Sequence, residues 1–334
     1  MRQAGVSRST RVRAWLALSS ALSWAARSPA VPEIKTNGCK LAKEPVLSTR
    51  RSARRGGTGY PSPVHPQSLA GWALSPRAVE AIREQMLNGT VRGDALLAQR
   101  DATIVSLQYG LAARNQEVWG LRWSSAYAHF AWITEVIRWG LLETSGKTAL
   151  STQRRTAIPT VLREDLEHWR QTLTDSGRPP REVDFIIPGN LTGAGYGVCD
   201  PATGAVHLSR SQTKTWSRTR FTPAVRAVVA QRPELARILG ATPYALRRGG
   251  ISLRLRTEDP QIVASECGTS LKMLSDHYSF PIEDLRHSEP KPADVEWRAA
   301  RDALSNQHTR QRKPRRSVFA RLADRRQTRD RRGV

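Results

Sequence analysis

The chain has 334 residues, with 53 lysines and arginines against 29 aspartates and glutamates, and a formal net charge of +24. A chain of this length can bury a hydrophobic core without disulfides or structural metals, and Cys39, Cys199 and Cys267 are widely separated, with no CxxC pair. These features exclude a disulfide-stabilised secreted scaffold and a cysteine-based zinc site, and they predict a cytoplasmic protein that binds a polyanion such as nucleic acid.

The positive charge is concentrated at the two ends of the sequence. Residues 1–56 contain twelve basic and two acidic residues, a net +10, and residues 309–334 contain eleven basic and two acidic residues, a net +9. The 252 residues between them carry only about +5, which suits a folded domain with one basic face. We expect the ends to act as electrostatic arms, although disordered arginine-rich termini without a binding role would give the same composition.

The first predicted element is an amphipathic helix near the N-terminus. Trp15, Leu18, Leu22 and Ala26 recur at helical spacing and predict one apolar stripe. The stretch follows several arginines and so imitates a secretory signal, but serines interrupt its apolar run. No apolar run approaches the length of a transmembrane helix, about 18 residues, so we expect no membrane partner.

An extended basic linker is predicted over residues 44–73. Apolar periodicity disappears there, and prolines, glycines and paired arginines take over. We expect the linker to contact nucleic-acid phosphates through Arg50, Arg51, Arg54 and Arg55.

The main domain is predicted to begin at residue 74 and to be mostly helical. Ser75-Pro76 is typical of a helix start, with serine as N-cap and proline at the first helical position. Alternating or β-branched patterns at 132–141 and 156–161 predict a hairpin or small sheet, with Lys147 in its turn region. The fold class is therefore mainly α with a small antiparallel β-sheet (α+β). Helical patterns after the first helix occur at 95–113, 117–123, 166–173, 223–230, 235–239, 246–255, 262–264 and 271–278.

Four segments of this domain resemble the sequence boxes of the tyrosine recombinase and phage integrase family. The likeness covers roughly 210 residues, from Leu74 to Leu285, in the order that the family uses. Taken singly, each central residue has an ordinary structural role, for example as a surface ion pair or a core tyrosine, but their ordered occurrence favours a shared site. The segments are 110–123 around Arg114, 145–159 around Lys147, 244–250 around Arg247, and 267–279 leading to Tyr278.

The resemblance implies a DNA strand transferase that needs no metal, ATP or other cofactor. Tyr278 would attack the scissile phosphate and form a 3′-phosphotyrosine bond. Arg114 and Arg247 would stabilise charge on the phosphate oxygens, and Lys147 would protonate the leaving 5′-oxygen. The linker arginines, with Arg155 and Arg248 inside the boxes, would contact DNA.

Two positions depart from the family's pattern. Tyr244 stands where the second box usually opens with histidine, and Thr269 stands where a histidine or tryptophan usually follows the glycine. A phenol titrates near pH 10, so Tyr244 is a poorer proton relay than imidazole at neutral pH, and His277 is a candidate substitute. The departures keep open a second function, a catalytically impaired DNA-binding remnant of an integrase. RNA binding is a third and disfavoured one, since the aromatic residues show no recognition-motif arrangement and the C-terminal tail has no RGG repeats.

The resemblance also implies a domain order and a set of partners. Residues 1–43 would be a truncated remnant of the family's helical core-binding domain, followed by the linker, a tyrosine recombinase-like catalytic domain at 74–290, and a C-terminal helix and Arg-rich tail at 291–334. The partners would be double-stranded DNA, further copies of the chain in a homo-tetramer on two DNA sites, and an accessory directionality protein. The segment 294–304 would dock on a neighbouring protomer. The protein would be cytoplasmic and nucleoid-associated when bound.

Overall fold

The computed structural model describes residues 17–19, 21–23, 25–26, 73–88, 95–144, 153–191, 197–278 and 282–312. The chain divides into two compact units, residues 1–59 and 60–334. In the first unit, residues 17–19, 21–23 and 25 are helical, as predicted for this segment. Leu18, which was expected on a buried stripe, is exposed there. The domain boundaries inferred from the sequence stay predictions.

Helices dominate the described part of the second unit. Short 3-10 turns at Trp123–Ser125, Pro233–Ile238 and Glu283–Leu285 and a π-helical turn at Ser217–Phe221 connect them. The α-helices are α1 (Pro76–Leu87), α2 (Ala95–Gly110), α3 (Asn115–Gly120), α4 (Thr160–Asp175), α5 (Arg210–Trp216), α6 (Thr222–Gln231), α7 (Tyr244–Arg254), α8 (Pro260–Cys267), α9 (Leu271–His277) and α10 (Ala293–Arg312).

The described strands form three two-stranded antiparallel sheets rather than the single small sheet predicted. β1 (Phe130–Ile133) pairs with β4 (Arg154–Ala157), and β2 (Val136–Arg138) pairs with β3 (Leu141–Glu143). β5 (Gly197–Cys199) pairs with β6 (Val206–Leu208). The sequence did not reveal this last hairpin, because strands of three residues are too short to establish an alternating pattern.

The core is built around α2, which is buried along nearly its whole length. α1, α4 and α7 pack against it. α1 begins as predicted, with the Ser75 hydroxyl accepting a hydrogen bond from the Ala78 amide at 3.2 Å and Pro76 in the first turn. A central buried helix explains why the 95–113 pattern is apolar on several sides rather than along one stripe.

Two glycines allow α7 to approach α2 and the start of α1 closely. A Cβ atom at Gly250 would lie 2.2 Å from the Tyr109 carbonyl oxygen, and one at Gly249 would lie 2.3 Å from the Leu74 carbonyl oxygen. Any larger residue would push α7 away from the core. The glycine pair therefore determines the position of the preceding turn of α7, which carries Tyr244 and Arg247.

Two element boundaries differ from the sequence prediction. The helix expected at 117–123 ends at Gly120, where a Cβ would lie 2.6 Å from the Glu135 carbonyl oxygen, and Leu121 is extended. The strand expected at 156–161 ends at Ala157, because Pro159 is the N-cap of α4. Close packing and a proline stop these elements before their apolar patterns end.

The C-terminal helix α10 packs on its own chain. Trp297 is buried, and its indole Nε1 donates to Glu80 of α1 at 2.5 Å. The Arg301 guanidinium bridges Glu80 and Asp165 of α4, with N–O distances of 2.9 and 2.7 Å. The segment that was expected to dock on a neighbouring protomer therefore contributes to the core of its own domain.

Candidate active site

The side chains of Tyr244, Arg247 and Tyr278 meet at the N-terminal end of α7 and the C-terminal end of α9. The Tyr278 hydroxyl is hydrogen-bonded to the Tyr244 hydroxyl and lies 3.4 Å from Arg247 Nε. The Arg247 guanidinium also lies over the Tyr278 ring, 5.6 Å from its centroid. Thus two residues 31 positions apart in the sequence contact each other through their functional groups.

Arg247 is fully buried and its guanidinium is held from several directions. It donates to the Cys267 carbonyl oxygen at 2.6 Å and to the Ala112 carbonyl oxygen. Ala112 adopts a left-handed conformation with φ of 47°, which is uncommon for a residue with a side chain. The turn after α2 and the end of α8 therefore fix the orientation of the guanidinium beside the tyrosine.

A buried carboxylate, Glu117, connects three arginines of the site. Glu117 accepts two hydrogen bonds from Arg154, at 2.6 and 3.0 Å, and pairs with Arg114 at 2.7 Å and Arg247 at 3.8 Å. Burial alone would raise the pKa of Glu117, but the three guanidiniums, Arg154 foremost, outweigh it and lower that pKa to about 2. The carboxylate is therefore ionised throughout the physiological range and holds the cationic cluster together.

Arg114 lies at the start of α3 and remains partly exposed. Its backbone amide donates to Glu117 at 2.6 Å, and its guanidinium donates to the Gly268 carbonyl oxygen at 3.0 Å. Gly268 ends α8 in a left-handed conformation, φ 61°, and a Cβ there would crowd Arg154. Arg114 thus forms an ion pair with Glu117, as exposed arginines commonly do, and also lies near the two tyrosines.

The two tyrosines at the site have opposite pKa shifts. Burial, followed by the hydrogen bond with Tyr278, raises the pKa of Tyr244 to about 12. Burial also acts to raise the pKa of Tyr278, but Arg247, the Tyr244 hydrogen bond and Arg114 outweigh it, so that the pKa of Tyr278 is lowered. Tyr278 is consequently the phenol that ionises more easily, and the Tyr244 hydroxyl is the donor of their hydrogen bond once Tyr278 is ionised.

Tyr278 is largely enclosed in this structure, with 2% of its surface exposed, whereas Tyr244 is 39% exposed. The Tyr278 ring packs in a small apolar cluster with Ile251, Val263 and Leu274. Access of a large anion to its hydroxyl therefore requires Tyr244 or the end of α9 to shift. Arg247 nevertheless contacts the Tyr278 hydroxyl, and Arg114 shares the Glu117 carboxylate with Arg247.

The other predicted residues divide into three groups. Thr269 is half-buried directly after Gly268, and Arg248 lies 5.3 Å from the Tyr244 ring centroid, so both are near the site. Burial lowers the pKa of Arg248. Arg155 is exposed on the opposite face of β4 from Arg154 and lies outside the cluster. The remaining predicted residues lie outside the described side chains: Lys147, His277, Arg50, Arg51, Arg54 and Arg55.

The sequence did not indicate the contributions of Arg154 and Glu117 to the site. Arg154 is buried in β4, where buried and exposed residues alternate. The signal available in the sequence was this alternation, which places Arg154 and Thr156 on one face and Arg155 on the other. Which face turns inward depends on pairing with β1, which the sequence did not determine.

Two further observations concern metals and membranes. Among the described residues, no three His, Cys, Asp or Glu side chains lie together as metal ligands would. In the same part of the chain, no helix combines the length and apolar character needed to cross a membrane.

Structural comparison places this geometry in a known fold. The chain is similar to the Tn1549 transposon integrase in complex with transposon right end DNA, with 16% sequence identity, a TM-score of 0.50, and coverage of 91% of this chain and 82% of that chain. The two chains share a fold. The prediction of a mainly helical fold with small antiparallel strands, like that of a tyrosine recombinase catalytic domain, is thereby confirmed.

Two other solved structures are similar at lower scores. A lambda integrase dimer bound to a COC′ core site has 14% identity and a TM-score of 0.44, covering 79% of this chain and 57% of that chain. XerA recombinase has 15% identity and a TM-score of 0.38, covering 64% of this chain and 62% of that chain. No protein-family model matches the sequence, and no curated protein does either.

Proposed function

We propose that this protein is a site-specific DNA recombinase that cuts and rejoins DNA through a 3′-phosphotyrosine intermediate. The observation that carries the proposal is the contact between the Tyr278 hydroxyl and Arg247, within a cluster that also contains Arg114 and Tyr244. A phenol with a lowered pKa beside fixed guanidiniums is suited to attack a phosphodiester, because both the nucleophile and the charged transition state are stabilised.

In the proposed reaction, Tyr278 loses its hydroxyl proton to solvent, and its oxygen forms a bond to phosphorus while the bond from phosphorus to the 5′-oxygen breaks. Arg114 and Arg247 hold the non-bridging oxygens, and Lys147 gives its proton to the departing 5′-oxygen. The 5′-hydroxyl of another strand then attacks the phosphotyrosine and releases Tyr278. One ester replaces another in each step, so that the reaction needs no ATP.

Tyr244 is proposed to take the place of the histidine that opens the second box in similar proteins. Its hydroxyl contacts the Tyr278 hydroxyl, and its pKa, raised to about 12, keeps it protonated. A protonated phenol in this position donates a hydrogen bond to a developing Tyr278 phenolate. Tyr244 also covers the nucleophile, so that Tyr244 or the end of α9 must shift when a phosphate enters.

The proposed partner is double-stranded DNA, bound by the basic linker and the catalytic domain, with a homo-tetramer on two DNA sites and an accessory directionality protein. A net charge of +24 favours binding to a polyanion. The similar Tn1549 transposon integrase, which is in complex with transposon right end DNA, supplies the analogy.

A second candidate function is DNA binding without cleavage. It is favoured by the enclosure of Tyr278 and by the replacement of the histidine with Tyr244. The two candidates differ in one product, since only the enzyme leaves DNA covalently attached to protein.

The test uses the full chain and a library of nicked duplexes with randomised sequence, in which a cleaved strand loses a short 5′-hydroxyl fragment and cannot be rejoined. We expect covalent protein–DNA adducts on a denaturing gel for the wild type and none for Tyr278→Phe. Tyr109→Phe is the matched control, because it also removes one buried hydroxyl, and that hydroxyl has no hydrogen-bond partner among the described residues. Binding without adducts in the wild type would favour the second candidate, and adducts in Tyr278→Phe would refute the assigned nucleophile.

A further inference from the structure

An exposed group of aromatic side chains lies on the outer face of the β1–β4 sheet. The two strands alternate between buried and exposed residues, and Trp132 is opposite Arg155 in the register. Trp132 is 41% exposed, and Tyr127, just before β1, is 50% exposed. We call Tyr127, Phe130, Trp132 and Arg155 the aromatic face. Large rings on the outer side of a two-stranded sheet have no packing role in the domain's core and therefore require another explanation.

The rings of this face are arranged as a continuous platform. Tyr127 is stacked on Phe130, with ring centroids 4.6 Å apart and planes inclined by 20°. Phe130 meets Trp132 edge to face at 6.5 Å, and the Arg155 guanidinium lies over the Phe130 ring at 4.1 Å. An open cleft of about 680 Å³ separates the platform from α8. The space is large enough for a flat aromatic ligand, and it is lined on the α8 side by Gln261, Ile262, Ser265 and Glu266.

The charges around the cleft favour an anionic ligand. No carboxylate of the described residues pairs with Arg155. The acid in the cleft, Glu266, is already engaged, since it pairs with Arg254 at 2.7 Å and accepts from the Ala157 amide at 3.0 Å. The cleft thus contains the exposed rings of the aromatic face and the Arg155 guanidinium, which has no acidic partner among the described residues. The charge of its acid, Glu266, is neutralised by Arg254.

We propose that the aromatic face binds an unpaired nucleotide of DNA, with the base stacked on Trp132 and its phosphate contacting Arg155. Aromatic platforms with an adjacent guanidinium bind nucleotides irrespective of sequence, since every base has a flat π face. The proposal rests on the proposed function and adds a substrate feature, a base displaced from the duplex near the cut. Strand β4 connects the two sites, because Arg154 on its inner face bonds to Glu117 while Arg155 on its outer face belongs to the platform.

The experiment compares binding of the full chain to two labelled duplexes, one fully paired and one with a single unpaired nucleotide. We expect the wild type to prefer the duplex with the unpaired nucleotide. Trp132→Ala should weaken binding to that duplex by about 5- to 100-fold, the range that loss of one stacking platform gives, and leave binding to the paired duplex within about two-fold. Trp132 is exposed, and the folding of each variant is checked by its thermal unfolding curve.

Trp139→Ala is the matched control. Trp139 is 64% exposed, has the Arg210 guanidinium 5.5 Å from its ring and lies in the β2–β3 turn, away from the cleft. No preference of the wild type for the unpaired nucleotide, or an equal loss in Trp139→Ala, would overturn the proposal and leave a peptide as the occupant to consider. Binding needs no cleavage, so the outcome is separable from the adduct assay. If adducts form but the unpaired nucleotide is not preferred, only the nucleotide-binding role of the aromatic face is refuted. If the unpaired nucleotide is preferred but no adducts form, only the recombinase activity is refuted.

Discussion

At the level of single residues, Glu117 pairs with three arginines of the site. It joins arginines from the start of α3, from β4 and from α7, which would otherwise repel one another. A buried carboxylate surrounded by guanidiniums is stabilising only while it is ionised and fully hydrogen-bonded. We therefore expect the integrity of the candidate active site to depend on Glu117 even though this residue does not contact the substrate in the proposed reaction.

Glu117→Gln should lower the free energy of unfolding by about 3–5 kcal/mol, the usual cost of removing one partner of a buried ion pair. The pKa of Glu117 is lowered from 4.5 to about 2 in the folded protein. Its contribution, roughly 3 kcal/mol, is therefore complete above pH 4.5 and is lost as the pH falls toward about 2. Urea denaturation at several pH values should show the difference between wild type and variant narrowing over this window.

Glu167→Gln serves as the control for this prediction. Glu167 is exposed and lies 3.9 Å from Arg163 of the same helix, an arrangement that contributes at most about 1 kcal/mol. A loss in Glu117→Gln no larger than that of Glu167→Gln would mean that the arginine cluster does not depend on the buried carboxylate.

Tyr244 gives a prediction on pH dependence. Tyr244→Phe removes the hydroxyl that donates to Tyr278, and with it one of the interactions that lower the pKa of Tyr278. The reactive phenolate should then form at higher pH, so that the profile of adduct formation against pH shifts upward. At a pH below the midpoints of the wild-type and Tyr244→Phe profiles, the rate of adduct formation in the variant should be about 10- to 100-fold lower. This is the effect of one hydrogen bond to a charged group, about 1.5–3 kcal/mol. An unchanged profile would assign Tyr244 a covering role only.

Among the secondary-structure elements, α10 is the one whose role differs most from expectation. The family resemblance implied a helix at 294–304 that docks on another protomer, yet Trp297 and Arg301 bind α10 to α1 and α4 of the same chain. The signal that could have indicated this is the pair of acids Glu80 and Asp165 on apolar helix faces, for which Arg83 supplies only one guanidinium.

Two arginines one turn apart on α10 provide a matched comparison. Arg301→Met should lower the free energy of unfolding by about 1.5–3 kcal/mol, the usual value of hydrogen bonds to charged groups, because Glu80 and Asp165 lose the Arg301 guanidinium and keep only that of Arg83. Arg298→Met should cost at most about 1 kcal/mol, because the pair that Arg298 forms with Glu164 is largely exposed. Equal effects in denaturant unfolding would indicate that α10 is not anchored through the buried acids.

For the molecule as a whole, the charge of +24 predicts DNA binding that weakens steeply with salt. Residues 313–334 contain nine basic and two acidic residues. Deleting this tail should reduce the slope of log affinity against log salt concentration by about one for each tail cation that contacts a phosphate. Electrophoretic or fluorescence titrations at several salt concentrations measure that slope. An unchanged slope would mean that the arginines of the tail do not contact DNA phosphates.

The sequence predicted the fold class and the proximity of Arg247 to Tyr278. Four segments in a family's order constrain a fold more than any local pattern does. The sequence was insufficient for Arg154, whose inward direction depends on pairing between β4 and β1, and for the enclosure of Tyr278, which depends on how α8 and α9 pack. The β5–β6 hairpin escaped prediction because its strands have three residues each. The sequence thus did not predict the features that depend on contacts between distant segments, because the local patterns there are short or ambiguous.

The most direct test of the central proposal is to digest the trapped protein–DNA adduct and locate the modified residue by mass spectrometry. The pKa of Tyr278 is lowered, and its hydroxyl contacts Arg247. Tyr244 is the alternative nucleophile, because it is more exposed and is hydrogen-bonded to Tyr278. We expect a nucleotide joined through its 3′-phosphate to Tyr278 in the wild type. A nucleotide joined to Tyr244 or to any other residue would contradict the proposal.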